Sequence, residues 1–456
     1  MKDKTITKTA RNIIYIWVCG LFIFIWWYYY NPFAFQRFYW LGGILSCITY
    51  VVLYSVFCNI YKAFRIASTD ITELVFSQLI SFGLSDLILY IFGCIASNRP
   101  LNILYGATIV ILQLVGVGYL VYKFKNYLMQ KVPPQDTLVI FGDMSTYDEA
   151  EEFEERLLTK YKHLFNIKYT AHESMQSDQL DEKLSECENV ILYSVSENKR
   201  FNFMKKCIDQ DKDFYLTPRI EDIFYLGCSP KHLLDTPLLR YDYCYNHRAE
   251  QQVKRVLDIL FSLIFIIILS PIFAITALAI KIEDHGPIFF KQKRCTKNGR
   301  VFEIIKFRSM IVNAEKMGVI PTTDGDSRIT KVGNIIRKTR IDEIPQFINI
   351  LKGDMSFVGP RPERVEHVEE YTRELPEFKY RMMVNGGLTG YAQIYGKYNT
   401  SAYDKLRLDL MYIENQSLLL DIKIILLTIR TIFQAESTEG FDKKRSEEIN
   451  RLAKKK

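Results

Sequence analysis

Four apolar stretches, near residues 13–30, 41–60, 74–96 and 102–122, constrain this chain more than any other feature. Each is close to the roughly 20 residues a helix needs to cross hydrocarbon. The first is long and aromatic, lacks a small-residue cleavage site and is followed closely by further spans, so it reads as a membrane helix rather than a removable signal. Lys2, Lys4, Lys8 and Arg11 precede the first span, Lys62 and Arg65 follow the second, and Lys123, Lys125 and Lys131 follow the fourth. The opposite loops carry only Arg37 and Arg99. Cationic loops stay in the cytoplasm, which predicts that both ends of the bundle face it.

The mean hydropathy of the whole chain, −0.02, therefore averages a membrane part and a water-soluble part. The net charge of +7 is modest for 456 residues. Its basic residues cluster beside apolar segments, which suits an anionic bilayer surface. No nucleic-acid motif occurs, so that partner class is set aside. The nine cysteines show no Cys-x-x-Cys pair and no histidine cluster. They read as reduced thiols in a reducing compartment.

Length alone allows about three domains. Residues 1–132 form the four-span bundle. Pro133-Pro134 opens a second region, 133–250, with strands expected at Thr137–Phe141 and Asn189–Tyr193 and helices near 147–164 and 200–208. Alternation of strand and helix predicts a parallel, Rossmann-like α/β sheet. Gly142 follows the first strand, but no glycine occurs from Asp143 to Leu226. A phosphate-binding turn needs several glycines for close backbone approach, so the region reads as a degenerate, structural or dimerising domain.

The third region, 251–435, starts with an apolar segment at about 256–280 that is interrupted by Ser270-Pro271. A proline inside a helix removes a hydrogen bond and clashes with the preceding turn. Lys254 and Arg255 before the segment and Lys281 after it favour re-entry over a kinked span. Ser270 or neighbouring protein would satisfy the freed carbonyl. Near the end, Ser417–Leu427 predicts an interfacial helix. A charged tail, 436–456, closes the chain.

Chemistry concentrates between these two membrane-associated ends. Seven basic residues lie between Gly286 and Met310, against the single acid Glu303. Lys306 and Arg308 stand at the end of a strand-like run beside Ser309, a setting that could hold a diphosphate. Arg328 either binds phosphate or pairs with Asp326. Asp342 and Glu343 are adjacent carboxylates at the start of a short apolar helix. Helical neighbours point about 100° apart, so one can hold Mg²⁺ while the other faces a phosphorus. An acidic first helical turn would account for the two acids alone. It does not account for the rigid Gly359-Pro360-Arg361-Pro362 turn, or for Gly386-Gly387-Leu388-Thr389-Gly390, which fix backbone where a ligand approaches.

These motifs stand in the order Lys254-Arg255-x-x-Asp258, Ser270-Pro271, Gly286-Pro287-Ile288-Phe289, Lys306–Met310, Asp326-x-Arg328-Ile329-Thr330, Asp342-Glu343-x-Pro345-Gln346, Asn349–Pro362, Leu388-Thr389-Gly390-x-Ala392-Gln393 and Asp409-x-x-Tyr412. In that order the segment from about Lys254 to Ile429 resembles the bacterial sugar transferases, the monotopic polyprenyl-phosphate phosphoglycosyl transferases. The bundle and the glycine-poor domain look like the accessory parts of large members that initiate capsule, exopolysaccharide or O-antigen synthesis. The resemblance implies a multi-pass protein of the bacterial inner membrane with its catalytic α/β domain on the cytoplasmic face. It implies transfer of a sugar 1-phosphate from a UDP-sugar to undecaprenyl phosphate, with release of UMP. Asp342 would be the nucleophile, Glu343 the Mg²⁺ ligand, and the Ser270-Pro271 break would make the membrane helix re-entrant. Lys306, Arg308, Arg328, Arg361, Thr389 and Lys397 would contact substrate.

Two positions depart from the family pattern. Asn385-Gly386-Gly387 replaces the usual Pro-Gly, and Lys397 stands where an arginine is frequent, keeping charge without bidentate geometry. The resemblance points to glucose or galactose, with N-acetylated sugars open. The accessory domains suit a homodimer. Two other readings remain: direct attack by the lipid with Asp342 as base, and an inactive membrane scaffold for polysaccharide assembly.

Overall fold

In the computed structural model, residues 2–34, 38–66, 69, 71–142, 147–162, 164–241, 248–312, 314, 326–396 and 400–432 are described. The chain divides into two compact units, Met1–Thr217 and Pro218–Lys456.

The first unit begins with the expected bundle. Helix α1 (Lys2–Ile25) continues through a π-helical turn, Trp26–Tyr30, into α2 (Asn31–Ala34); α3 (Tyr39–Ile60), α4 (Ile71–Ser97) and α5 (Ile103–Lys131) follow. Four spans, Thr5–Ala34, Tyr39–Ile60, Ile71–Ser97 and Ile103–Lys131, are long and apolar enough to cross a membrane. Even the 22 residues of α3 reach roughly 33 Å, a full hydrocarbon thickness. Some polar side chains inside the bundle pair across helices. Gln113 donates to the Tyr50 hydroxyl (2.9 Å) and to the Val18 carbonyl (3.2 Å), and Tyr54 donates to Gln78 (2.6 Å).

The same unit carries a four-stranded parallel sheet in the order β2-β1-β3-β4. Its strands are β1 (Gln135–Phe141), β2 (Phe165–His172), β3 (Asn189–Tyr193) and β4 (Asp213–Leu216). They alternate with α6 (Tyr147–Tyr161), α7 (Ser177–Ser185) and α8 (Glu197–Asp209). Leu138 and Ile140 pack on one face with Leu180, Leu184 and Phe203, and Val139 and Phe141 on the other with Ala150 and Leu157. A central strand covered on both faces has to be apolar throughout, which is why β1 was legible. Strand β2 was missed because it is a half-exposed edge with weak patterning, Phe-Asn-Ile-Lys-Tyr-Thr-Ala-His.

The crevice at which strand order reverses, between β1 and β3, is where such sheets hold nucleotides. Here it contains the protein's own carboxylate. Glu173, only 3% exposed at the end of β2, accepts from the Ser196 amide (2.7 Å) just before α8. A Cβ on Gly142 would lie 2.6 Å from Glu173 Oε2 and 2.2 Å from the Ser194 carbonyl. Gly142 thus admits a side chain and a neighbouring loop. Glu173 occupies the place at a helix N-terminus that favours an anion.

The second unit begins with α9 (Ile220–Leu226), which the sequence grouped with the preceding region. It packs on α16 (Ala402–Glu414), and Ile220 and Ile223 enter the second unit's core. An exposed hairpin, β5 (Ser229–Leu233) and β6 (Thr236–Arg240), comes next. Helices α10 (Arg248–Ile268) and α11 (Ser270–Asp284) form an apolar pair bent by 61° at Leu269. Ser270 Oγ donates to the Ile267 carbonyl (2.8 Å), satisfying an acceptor freed at the break. Arg255 on α10 donates to the Ile350 and Leu351 carbonyls (2.6 and 2.8 Å), and Asp258 accepts from the Phe357 amide (3.2 Å). These bonds tie the first limb of the pair to the rest of the unit.

The antiparallel pair β7 (Phe289–Cys295) and β8 (Val301–Phe307) leads to α12 (Lys331–Lys338), a 3₁₀ turn at Ile341–Glu343, and α13 (Gln346–Lys352). Strand β9 (Met355–Val358), α14 (Val365–Glu374), a 3₁₀ segment at Pro376–Met383 and β10 (Gly386–Thr389) follow, with β9 and β10 parallel. Helices α15 (Tyr391–Tyr395), α16 and α17 (Leu418–Ile432) complete the described chain. Ile350, Met355, Phe378, Leu406, Leu410 and Tyr412 form the centre of its core.

Candidate active site

The adjacent acids sit on the 3₁₀ turn between α12 and α13 rather than within a helix. Thr330 caps α12 by accepting from the Gly333 amide (2.9 Å). Arg340 then takes a left-handed conformation (φ 58°), which stops the helix and starts the turn. Ile341 and Ile344, flanking the acids, pack into an apolar cluster with Ile280, Phe307 and Ile336. Burying the isoleucines leaves Asp342 and Glu343 to face the polar side.

Lys306 from the end of β8 and Arg361 from the turn after β9 meet at Glu343. Lys306 Nζ is 2.9 Å and Arg361 Nη2 2.7 Å from the same oxygen, Oε1. Burial raises the cost of a charged Glu343, but the Arg361 and Lys306 charges outweigh it and hold its carboxyl well below the usual range. Burial pulls the Lys306 ammonium down, opposed by the Glu343 charge.

Asp342 is in a different state beside it. Its Oδ1 is buried and has no hydrogen-bond partner among the described residues. Burial, followed by the negative charge of Glu343, pushes its carboxyl up to about 6, against the pull of Lys306, Arg337 and Arg340. One acid is held ionised by two cations, while its neighbour keeps a free oxygen and titrates close to neutrality. An unpaired carboxylate oxygen beside clustered cations suits attack on an anionic phosphorus centre.

The Arg361 turn is held from behind. Its Gly359 amide donates to the Thr389 carbonyl (2.9 Å), and Gly387 donates to the Pro360 carbonyl (2.8 Å). A Cβ on Gly387 would lie 2.1 Å from the Gly359 nitrogen, so these two backbones meet only because side chains are absent. Arg381 Nη2 donates to the Arg361 carbonyl (3.0 Å), and its Nε donates to Asp409 (3.0 Å). Arg294 Nη1 donates to the Pro362 carbonyl (3.1 Å). Sequence reading missed Arg294, Arg381, Arg337 and Arg340. Asp409 stood in a motif, but nothing local marks Arg381 as its partner.

The remaining sequence-predicted residues diverge. Arg308 is turned to Asp284 at the end of α11, not to the dyad. Arg328 takes the pairing alternative, with Nε 2.9 Å and Nη2 2.6 Å from the two Asp326 oxygens. Thr389 supports the Gly359 turn through its carbonyl, and its hydroxyl lies 2.6 Å from that of Thr428. Ser270 and Pro271 are at the bend of the apolar pair. Lys397 lies outside the described residues.

A metal at the dyad would meet few protein ligands. Among the described residues no group of three or more His, Cys, Asp or Glu side chains could hold an ion. Both cations lie on Glu343 Oε1, leaving Oε2, and Asp342 Oδ1 is also unpartnered. One or two carboxylates completed by water and substrate phosphates are what Mg²⁺ takes, so the donor set fits that ion.

Residues 249–435 match the family described as bacterial sugar transferase. The chain is 49% identical over 183 residues to a UDP-N-acetylgalactosamine-undecaprenyl-phosphate N-acetylgalactosaminephosphotransferase of Aeromonas hydrophila, covering 40% of this chain and 43% of that protein. It is 40% identical over 219 residues to the UDP-glucose:undecaprenyl-phosphate glucose-1-phosphate transferase of Escherichia coli (strain K12), covering 47% of this chain and 45% of the relative. The matched part thus spans less than half the length of either relative. A shorter relative, the exopolysaccharide production protein PSS of Rhizobium leguminosarum bv. phaseoli, is 37% identical over 186 residues, covering 39% of this chain and 93% of that protein. With the dyad and its cations inside the matched segment, and one relative matched along nearly its whole length, the chain belongs to the bacterial sugar transferase family.

Proposed function

We propose that the chain transfers a sugar 1-phosphate from a UDP-sugar to undecaprenyl phosphate, releases UMP and so initiates polysaccharide synthesis. The observation that carries this reading is the asymmetry of the dyad. Glu343 is held by Lys306 and Arg361, while Asp342 keeps a free, buried oxygen. The names of the relatives, undecaprenyl-phosphate sugar-phosphate transferases, support the substrate classes.

In this mechanism Asp342 Oδ1 attacks the phosphorus that bears the sugar. The bond from that phosphorus to the bridging oxygen breaks, and UMP leaves with the electron pair. Lys306 and Arg361 offset the charge of the diphosphate, which would otherwise repel the carboxylate. A phosphate oxygen of the lipid then attacks the same phosphorus and displaces Asp342, giving the lipid diphosphosugar and restoring the carboxylate. Splitting the reaction means that nucleotide sugar and lipid need not occupy the site together. Glu343, with Asp342 beside it, would hold Mg²⁺, which when bound neutralises diphosphate charge.

The bent pair α10–α11 is read as re-entrant, entering and leaving on the cytoplasmic face of the inner membrane. Its break with a locally satisfied carbonyl, and basic residues at both ends, support this. Labelling of cysteines introduced at Gln251 and Asn298 tests it: re-entry requires both to react from the same side.

The chemistry is tested by incubating the protein with Mg²⁺ and UDP-N-acetylgalactosamine, UDP-glucose or UDP-galactose, each radiolabelled in the sugar. UMP release and label retained on Asp342 before lipid is added are expected. UMP release that requires lipid, with no label retained, would replace covalent transfer with direct lipid attack. Absence of turnover with any UDP-sugar would leave the scaffold reading.

A further inference from the structure

The last two residues of α11 are both acids, and both leave the apolar helix to hold the catalytic segment. Glu283 Oε1 accepts from the Lys331 amide (2.7 Å) and the Val332 amide (3.3 Å). These are the first two residues of α12, whose N–H groups have no partner within their own helix. With Thr330 taking the Gly333 amide, the start of α12 is closed by side chains, one of them from the membrane pair.

Asp284 makes the second connection. It pairs with Arg308 just past β8, the strand that delivers Lys306 to Glu343. Arg308 is 6% exposed, and its Nε and Nη1 have no partner, so Asp284 is the anion that offsets its buried charge among the described residues. Gly286 makes room for this pair, since a Cβ there would lie 2.0 Å from Arg308 Nη1. Between the two polar connections, Ile280 of α11 packs with Phe307 of β8, Ile336 of α12, and Ile341 and Ile344 of the dyad turn. Arg337 at the other end of α12 and Arg340 just past it are the residues whose charges act on Asp342.

We propose that Glu283 and Asp284 are positioning residues, through which the second limb of the bent membrane pair holds α12, β8 and the dyad turn in register. Neither touches the reacting atoms. Glu283 acts through α12, and Asp284 through Arg308 and β8. The seating of α11 in the membrane therefore sets the placement of Asp342 against Lys306 and Glu343. A shift of about 1 Å between reacting groups is enough to slow chemistry strongly, whereas substrate affinity spread over many contacts changes little.

This inference rests on the transferase reading and is tested in the full-length protein in lipid nanodiscs. The nucleotide sugar is whichever of UDP-N-acetylgalactosamine, UDP-glucose and UDP-galactose the wild type turns over. For Glu283→Ala, kcat of UMP release is expected to fall about five- to tenfold, the scale of losing a helix cap, with KM within about twofold. Glu283→Gln, whose amide oxygen still accepts from α12, is expected to recover most of the rate. Asp284→Asn gives an independent reading, with the same kcat-selective loss expected, and serves if Glu283→Ala does not accumulate. An unchanged kcat, a rise in KM of the same size, or no recovery in Glu283→Gln would overturn the proposal. If the wild type itself releases no UMP from any of the three donors, it is the transferase reading that fails.

Discussion

Buried Glu173 and half-buried Asp342 are both acids beside a turn next to a short helix, in two different α/β settings, yet their charged neighbours are arranged differently. Glu173 fills the crevice of the parallel sheet, with Oε2 accepting from the Ser196 amide, Oε1 3.8 Å from Lys199 Nζ, and Gly142 shaped around it. Asp342 has a buried oxygen without a hydrogen-bond partner among the described residues, and Lys306 and Arg361 beside it are directed to Glu343. A carboxylate engaged by a backbone amide on one oxygen and a nearby lysine on the other serves the local fold. An unsatisfied one costs stability, and that cost is characteristic of a site built for a ligand. The contrast separates a nucleotide-type fold whose crevice is internally occupied from the site proposed for phosphoryl transfer.

The largest test of this contrast is Asp342→Asn. UMP release should fall by about 10³-fold or more, because the nucleophile is lost while the surrounding cations remain. Retained turnover would break the assignment of Asp342. Next in size is Glu343→Gln, which removes the charge that gathers Lys306 and Arg361. A drop of roughly 10²-fold in kcat, with a weakened dependence on added Mg²⁺, is expected from steady-state UMP assays.

A pH series sharpens the comparison further. Asp342 is raised from its ordinary 3.8 to about 6, so the protonated form gains on folding. Activity, which needs the carboxylate, should fall about tenfold per pH unit once the pH drops below about 6. Stability runs the other way. The contribution of this group is fully present below about pH 4 and is lost as pH rises through about 6. Asp342→Asn should therefore melt about 2–4 °C above wild type at pH 8, with the difference disappearing near pH 4.

The smallest effect on activity is expected at the other acid. Glu173→Ala should leave UMP release within about twofold of wild type while destabilising its own domain by about 1–3 kcal/mol, read by thermal denaturation or proteolysis. A large loss of turnover there would show that the two carboxylates are not as different in function as they are in environment.

Much of this molecule was legible in the chain because some residues admit few placements. The apolar runs became α1 and α3 to α5, the uniformly apolar Thr137–Phe141 became the central strand β1, and Ser270-Pro271 became a 61° bend. The structure brings Lys306 and Arg361 to Glu343, a pairing that their residue types alone did not specify. Edge strand β2 and helix α9 were misjudged or missed, since their patterning is weak and their packing partners are distant in sequence. Arg308 looked like a phosphate binder by its place at a strand end, yet its guanidinium group found Asp284, and Arg328, open between phosphate and Asp326, pairs with Asp326.

The sequence by itself determined that this chain has membrane helices, an α/β region without a glycine-rich phosphate turn, and an acid pair among cations. These follow from local constraints: hydrocarbon excludes unpaired backbone, a phosphate turn requires glycine, and phosphoryl chemistry requires charge. Only the tertiary structure decided which cation meets which acid. Lys306 is 37 positions from Glu343, and Arg381 is 28 from Asp409. Pairings over such separations depend on how the intervening helices and strands pack. That packing left one oxygen of Asp342 free while filling the crevice of the other sheet with Glu173.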